Sequence, residues 1–176
     1  MKILLMGNPN VGKSVVFNRL SGANAIESNY PGTTVDYEKG YVSLNNTEYE
    51  FIDAPGTFSL EPKDKAEEVA VKLLEKYKDA VIICVIDASK IERGLYLALE
   101  LIERGYKLII ALNMWDVAED NNIKINVERL NEILQVPVIP TIAISGEGVK
   151  TLSEQILSVK PTTIQYIINH TKGGSS

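Results

Sequence analysis

Gly7-Asn8-Pro9-Asn10-Val11-Gly12-Lys13-Ser14 decides the fold. It follows the apolar run Ile3–Met6 and opens a helix-period stretch from Lys13 to Leu20, so the pattern GxxxxGK[ST] stands in strand–loop–helix order. The glycines let the backbone wrap around phosphate oxygens, and the amides from Gly12 to Val15 form a helix N-terminus that favours anions. Lys13 supplies a point charge for β- and γ-phosphates, and Ser14 a hydroxyl for Mg²⁺. Phosphate contacts are therefore expected from Gly7, Asn8, Pro9, Asn10, Val11, Gly12, Lys13, Ser14 and Val15.

A phosphate loop does not choose the base. Asn113-Met114-Trp115-Asp116, at the end of the strand-like run Leu108–Leu112, does. A carboxylate at Asp116 accepts from the N1–H and 2-amino group of guanine. Adenine offers neither donor on that edge, and an acceptor left unpaired costs about 1–3 kcal/mol. Asn113 can bridge the loop and the base, with the apolar stem of Met114 covering the ring. The competing reading, Asn113 or Asp116 as a helix N-cap, loses force because the pattern follows a strand.

Asp53-Ala54-Pro55-Gly56 ends the run Glu48–Ile52. An acid here holds Mg²⁺ through a water, Pro55 shapes the turn, and the Gly56 amide can sense the γ-phosphate. A Pro-Gly turn closing the strand is the structural alternative. Between these motifs, Ser21 to Asp36 is polar and reads as a mobile loop. Thr34 is the hydroxyl best placed to close over Mg²⁺ and the γ-phosphate, with Thr33 as its competitor and Gly32 beside them. Lys13, Thr34 and Gly56 are candidate catalytic residues, and Ser14, Thr34 and Asp53 candidate Mg²⁺ ligands.

The rest of the 176 residues supplies a frame. Further strands are expected at Tyr37–Leu44, Glu48–Ile52, Ala80–Ile86 and Val138–Ile142, with Asn45-Asn46 as a hairpin turn. Helices are expected at Lys65–Tyr77, Glu92–Arg104, Val127–Leu134 and Val149–Val159, the second with Leu95, Leu99 and Ile102 as core. Alternating strands and helices predict an α/β protein, and the three motifs in this order make its fold the P-loop NTPase small-GTPase fold. Its sheet would be mostly parallel and six-stranded, with one antiparallel edge strand and helices on both faces.

At 45% hydrophobic and 23% charged the chain is globular, and its length suits one domain. A net charge of −5 argues against broad nucleic-acid binding. One cysteine, Cys84, and one histidine, His170, leave no internal disulfide, histidine zinc site or serine triad. No run reaches the roughly 18 apolar residues of a membrane span, and the start lacks a signal-peptide cleavage site, so a soluble, unsecreted piece is expected. From Pro161 the pattern breaks: Thr162–Ile168 is short and β-prone, and Lys172-Gly173-Gly174-Ser175-Ser176 reads as a linker. The expectation is a nucleotide-binding domain over 1–160 and a tail over 161–176, ending where a larger protein continues.

Three motifs in this order are those of guanine-nucleotide switches, and four segments point further. Asn29-Tyr30-Pro31-Gly32-Thr33-Thr34-Val35 resembles the "NWPGVTV" switch of the FeoB family of ferrous iron transporters. Asp53 to Leu60 resembles its "DLPGTYSL", Ile91 to Leu97 its "LERNLYL", and Ala111 to Met114 its "ALNM". Nucleotide chemistry does not require the Glu92-Arg93-x-Leu95-Tyr96 segment, which makes it the more specific likeness.

The resemblance implies a slow GTPase that binds GTP and GDP with Mg²⁺. It would be the cytoplasmic regulatory domain at the inner membrane face of an Fe²⁺ importer, followed by helical and membrane domains, and able to form homo-oligomers. It also implies that Asn10 coordinates K⁺ beside the phosphates and so shares in catalysis, unless its amide merely bonds its own loop. The base loop would be Ile142, Ala143 and Ile144, with the Ala143 amide reaching the guanine oxygen; Ser145-Gly146 gives an alternative register. Ile142 replaces a hydroxyl there, implying binding weaker by roughly 1 kcal/mol. Thr57 stands where other GTPases place a water-orienting glutamine. Two alternatives stay open: a free cytosolic GTPase of ribosome assembly or tRNA modification, and a nucleotide clamp whose turnover is too slow to matter.

Overall fold

Strand residues sort by parity onto two cores. Leu4, Met6, Ile82, Cys84, Ile86, Leu108 and Ile110 face one side of the sheet, while Ile3, Leu5, Val81, Ile83, Val85 and Ile109 face the other. Central strands buried on both faces are the mark of a parallel sheet covered by helices on each side. The computed structural model describes residues 1–22 and 25–172, with side chains to Asn169.

The strands are β1 (Lys2–Gly7), β2 (Ile26–Asn29), β3 (Asp36–Leu44), β4 (Thr47–Asp53), β5 (Val81–Asp87), β6 (Lys107–Asn113) and β7 (Val138–Pro140). They form one seven-stranded sheet in the order β2-β3-β4-β1-β5-β6-β7. β4, β1, β5, β6 and β7 pair in parallel, whereas β3 runs antiparallel to both its neighbours. The expected hairpin is present: Asn45 and Asn46 take φ of 50° and 61° between β3 and β4, as a two-residue primed turn needs.

The helices are α1 (Lys13–Ser21), α2 (Lys65–Lys76), α3 (Ile91–Glu103), α4 (Trp115–Asp120), α5 (Val127–Leu134), α6 (Val149–Gln155) and α7 (Ile164–Lys172). Val16 and Phe17 of α1 and Leu152 of α6 pack on one face, and Leu73 of α2 with Leu97 and Leu101 of α3 on the other. α2 is capped by Asp64, whose side chain accepts from the Glu67 N–H at 2.8 Å, and α5 by Asn126, which accepts from Arg129 N–H at 2.8 Å.

Four details correct the sequence reading. The sheet has seven strands, because Ile26–Asn29, inside the stretch expected as loop, pairs with β3 and becomes the edge in place of β3. Its side chains are largely exposed, so no apolar alternation announced it. Thr162–Ile168 is not β-prone in the fold: α7 begins at Ile164, and its Ile167 is buried in the core beside α3 and α5. Leu99 is exposed, since the buried stripe of α3 runs through Gly94, Leu97, Ala98, Leu101 and Ile102. The expected single helix Val149–Val159 ends at Gln155 and passes into a 3₁₀ turn, Ile156–Ser158. The terminal Gly173-Gly174-Ser175-Ser176 lies outside the described residues.

Candidate nucleotide site

The C-terminal ends of β1, β4 and β6 bring the three motifs to one edge of the sheet, where open α/β folds bind ligands. β1 ends at Gly7, where an added Cβ would come within 2.6 Å of the Val85 carbonyl oxygen, so only glycine lets β1 and β5 lie this close. Asn10 and Gly12 then take left-handed φ of 63° and 82°, turning the chain back into α1. Among the described residues no side chain caps α1. The amides of Val11, Gly12, Lys13 and Ser14 have no acceptor among the described residues, while that of Val15 donates to the Gly12 carbonyl at 3.1 Å. A helix N-terminus with open donors and a positive dipole end is suited to an anion.

Lys13 and Ser14 converge on Asp53, the last residue of β4. The Lys13 ammonium forms an ion pair with Asp53 Oδ1, and the Ser14 hydroxyl donates to Oδ2 at 3.2 Å. Burial pushes the Asp53 carboxyl above its ordinary 3.8, and Lys13 and Ser14 pull it only part of the way back. The cleft here measures about 220 Å³ and also admits Glu38 and Pro55. A hydroxyl beside one carboxylate is a hard-oxygen pair that fits Mg²⁺ with phosphate oxygens filling the remaining positions. Among the described residues no three His, Cys, Asp or Glu side chains could hold a metal by themselves.

The two threonines of the switch segment differ. Thr33 is tied into its own turn: its hydroxyl donates to the Tyr30 carbonyl at 3.0 Å and accepts from the Val35 N–H at 3.2 Å. Thr34 is exposed, and its hydroxyl has no hydrogen-bond partner among the described residues. Gly32 sits at φ 77° with open space around it, and Asn29 pairs with Asp36 across the base of the turn.

After Asp53, Gly56 lies against the phosphate loop: an added Cβ would stand 3.0 Å from Pro9 N and Cγ. Thr57 is fully buried, its amide donating to the Gly7 carbonyl at 3.0 Å and its hydroxyl to the Ser59 carbonyl at 2.7 Å. Sequence reasoning missed what holds the next segment. The buried Glu67 carboxylate accepts from the N–H groups of Phe58 at 3.1 Å and Lys63 at 2.8 Å, and Glu100 of α3 accepts from Leu60 N–H at 2.8 Å. The one local signal is the Asp64-x-x-Glu67 spacing of a capping box, although Glu67 reaches past Asp64 to Phe58 and Lys63.

At the far end of the site, Asn113 is not a helix cap. Its buried side chain donates from Nδ2 to the Val11 carbonyl at 2.9 Å. Its Oδ1 accepts from the Thr141 hydroxyl at 3.2 Å and the Ala143 N–H at 3.0 Å. Met114, at φ 57°, turns the chain into α4 and puts Asp116 in the exposed first turn. Of the base-loop residues, Ala143 is buried, Ile142 half-buried and Ile144 exposed. The Ala143 amide expected to face the base is occupied by Asn113. Asn8 buries its side chain, with Oδ1 unpartnered among the described residues, and lines a second cleft with Pro9, Asn10, Val11, Phe58 and Asp87. Asn10 is exposed and makes no side-chain bond to its own loop.

Residues 1–156 match the family model described as ferrous iron transport protein B. The Fe(2+) transporter FeoB of Shigella flexneri is 39% identical over 156 residues, which are 86% of this chain and 20% of that protein. The chain thus spans about a fifth of the length of the curated relatives it matches. Among solved structures, the cytosolic domain of L. pneumophila FeoB superposes with a TM-score of 0.87 at 38% identity, covering 93% of this chain and 71% of that one. The cytosolic domain of T. maritima FeoB in its GMPPNP form gives 0.81 at 35% identity, covering 90% and 63%.

Proposed function

The chain belongs to the ferrous iron transport protein B family, and on that premise we propose that it is the guanine-nucleotide switch of an Fe²⁺ transporter, binding GTP and hydrolysing it to GDP and phosphate. The observation that carries this reading is the buried Asn113 side chain. It joins the base-reading motif to the phosphate loop at Val11 and to the base loop at Ala143, so one residue links the places where base and phosphates would lie. The GMPPNP form of the T. maritima domain supports guanine as the base.

In this reading the open amides of Val11 to Ser14 receive the β-phosphate, and Lys13 leaves Asp53 for the β- and γ-oxygens. Ser14, Thr34 and the water-linked Asp53 would hold Mg²⁺, which when bound neutralises phosphate charge. Asp116 accepts from the guanine edge, and Met114 covers the ring. Gly56 and Thr34 close on the γ-phosphate and part once it leaves, which is how the domain would signal to whatever follows residue 160. The free Asn10 amide is an oxygen donor suited to K⁺, whose charge would offset that developing between the phosphates. The inner membrane face is the proposed location, with the rest of the transporter as partner. Among the described residues no helix is long and apolar enough to cross a membrane.

A second reading, a slow clamp, is favoured by Thr57, whose hydroxyl is spent on Ser59 and cannot orient water. Both are tested by following phosphate release from GTP and from ATP in KCl and in NaCl at equal ionic strength, with Asn10→Ala alongside. Hydrolysis of GTP alone, faster in K⁺ and insensitive to K⁺ in the variant, is expected of the switch. Tight binding without turnover in either salt selects the clamp. Equal handling of ATP and GTP would remove the guanine reading.

A further inference from the structure

Arg19 lies in the last turn of α1 and reaches to the base loop. Its Nε donates to the Ala143 carbonyl at 3.0 Å, and its Nη2 donates to the Ile144 carbonyl. A guanidinium is a rigid fork of donors, suited to two successive carbonyls in a way that a single ammonium is not. Asn113 holds the Ala143 N–H and Glu147 the Ile142 N–H, but among the described residues Arg19 alone holds the Ile144 carbonyl. The loop turns on Gly146 and Gly148, both at positive φ, and although Ala143 is buried the Ile144 side chain is 79% exposed, so burial does not anchor that end.

The contacts also set where the loop's donors point. Within a trans peptide, C=O and N–H project in opposite directions. Drawing the Ala143 carbonyl onto Arg19 therefore aims the Ile144 N–H away from α1. The Ile142 N–H donates to the Glu147 carbonyl at 3.0 Å, and the Ala143 N–H donates to Asn113. Of residues 142–144, only Ile144 keeps a main-chain N–H without an acceptor among the described residues.

We propose that Arg19 is a positioning residue for base recognition, holding the loop so that the Ile144 N–H meets the carbonyl oxygen of guanine. This rests on the guanine reading above. Because α1 begins at the phosphate-binding Lys13 and Ser14 and carries Arg19 near its end, the two bonds brace the base loop against the helix that holds the phosphates. Losing them frees the loop, so the effect falls on release of the nucleotide rather than on encounter.

The test is stopped-flow release of mant-GDP from the 176-residue chain and from Arg19→Ala, Arg19→Lys and Arg19→Gln. Release from Arg19→Ala is expected to be about tenfold faster with association unchanged, and from the Lys and Gln variants intermediate, since each restores one donor site. Arg19 is exposed, so the melting temperature of the nucleotide-free protein should not move. Competition by 2-aminopurine riboside diphosphate, which lacks the carbonyl oxygen and with it the N1–H read by Asp116, supplies a readout that a purely structural role leaves still, because only the oxygen's share of the preference depends on Arg19. The preference of wild type for GDP over this analogue should shrink in Arg19→Ala. Unchanged release, or an equal loss for both ligands, overturns the positioning role while the guanine reading stands. Failure of wild type to bind mant-GDP overturns both.

Discussion

Asn113 and Val11 are joined by a buried hydrogen bond of 2.9 Å from side-chain amide to main-chain carbonyl, across 102 positions of sequence. It connects the end of β6 to the phosphate loop, and the same side chain receives Ala143 N–H and the Thr141 hydroxyl. An added Cβ at Gly12 would collide with this amide, so that glycine is required by packing as well as by its φ. The two halves of the site are therefore one hydrogen-bonded unit before any ligand arrives.

Asn113→Ala should in consequence destabilise the nucleotide-free protein, not only weaken binding. It orphans the Val11 carbonyl and the Ala143 amide in a buried setting, at about 1–3 kcal/mol for each group, so a loss of roughly 2–6 kcal/mol is expected in urea unfolding. Asn113→Asp keeps the acceptor towards Ala143 and loses the donor towards Val11, and should fall between. An unfolding midpoint unchanged in Asn113→Ala would show that the side chain matters only with ligand bound.

The Lys13–Asp53 pair leads to a prediction about pH. Burial holds the Asp53 carboxyl above 3.8, so between 3.8 and that raised value the folded chain binds more protons there than the unfolded one. Such a group contributes stability that is complete below 3.8 and lost as pH rises through the folded value. The difference in unfolding free energy between wild type and Asp53→Asn should move in favour of wild type as the solution is acidified through this window. A difference moving the opposite way would mean that the Lys13 charge outweighs burial.

Most of the frame was legible because central strands and phosphate loops announce themselves through local pattern. Gly7, Gly12 and Lys13 are fixed by spacing, and the Asn45-Asn46 turn by a conformational need that few residues meet. What escaped depends on contacts distant in sequence. β2 is an exposed edge held by pairing with β3, and Arg19 looks like any helix-surface arginine until the base loop is folded beside it. The family resemblance gives the Ala143 amide to the base, and nothing local reveals that Asn113 takes it.

The switch threonines separate by their existing bonds. Thr33→Ala removes a hydroxyl that both donates to Tyr30 and accepts from Val35, and should loosen the turn by about 1 kcal/mol even without nucleotide. Thr34→Ala removes one without a partner among the described residues, so stability should hold within about 0.5 kcal/mol while Mg²⁺-dependent GTP hydrolysis falls by tenfold or more. Calorimetry paired with phosphate release on both variants distinguishes the roles. A hydrolysis defect confined to Thr33→Ala would reverse the assignment.

Cys84 lies in the middle of β5 with no exposure, and burial pushes its thiol up to about 12. The thiolate is the reactive form, so native protein should resist an aromatic disulfide reagent at pH 8 and react fully once unfolded in urea. The slow native rate then reports opening of the central sheet, and bound nucleotide should slow it further. Rapid stoichiometric labelling of the native chain would contradict the burial of β5.

Gly56 tests whether the segment after β4 reads the third phosphate. A Cβ there would meet Pro9 N and Cγ at 3.0 Å and Cα at 3.1 Å, all in the phosphate loop, where the contacted backbone cannot swing aside as a long side chain could. Gly56→Ala should therefore push the segment off the loop, at about 1–3 kcal/mol of stability in the nucleotide-free protein. The amides of Val11 to Ser14, Asn113 and Asp116 are untouched, so GDP affinity should stay within about threefold of wild type, a change of less than 1 kcal/mol. The advantage of a non-hydrolysable GTP analogue over GDP should disappear, and hydrolysis with it. Titration calorimetry with both nucleotides gives the comparison. A parallel loss for GDP would mean that Gly56 shapes the phosphate loop itself, whereas an intact preference for the analogue would remove the Gly56 amide from γ-phosphate sensing and leave that work to Thr34.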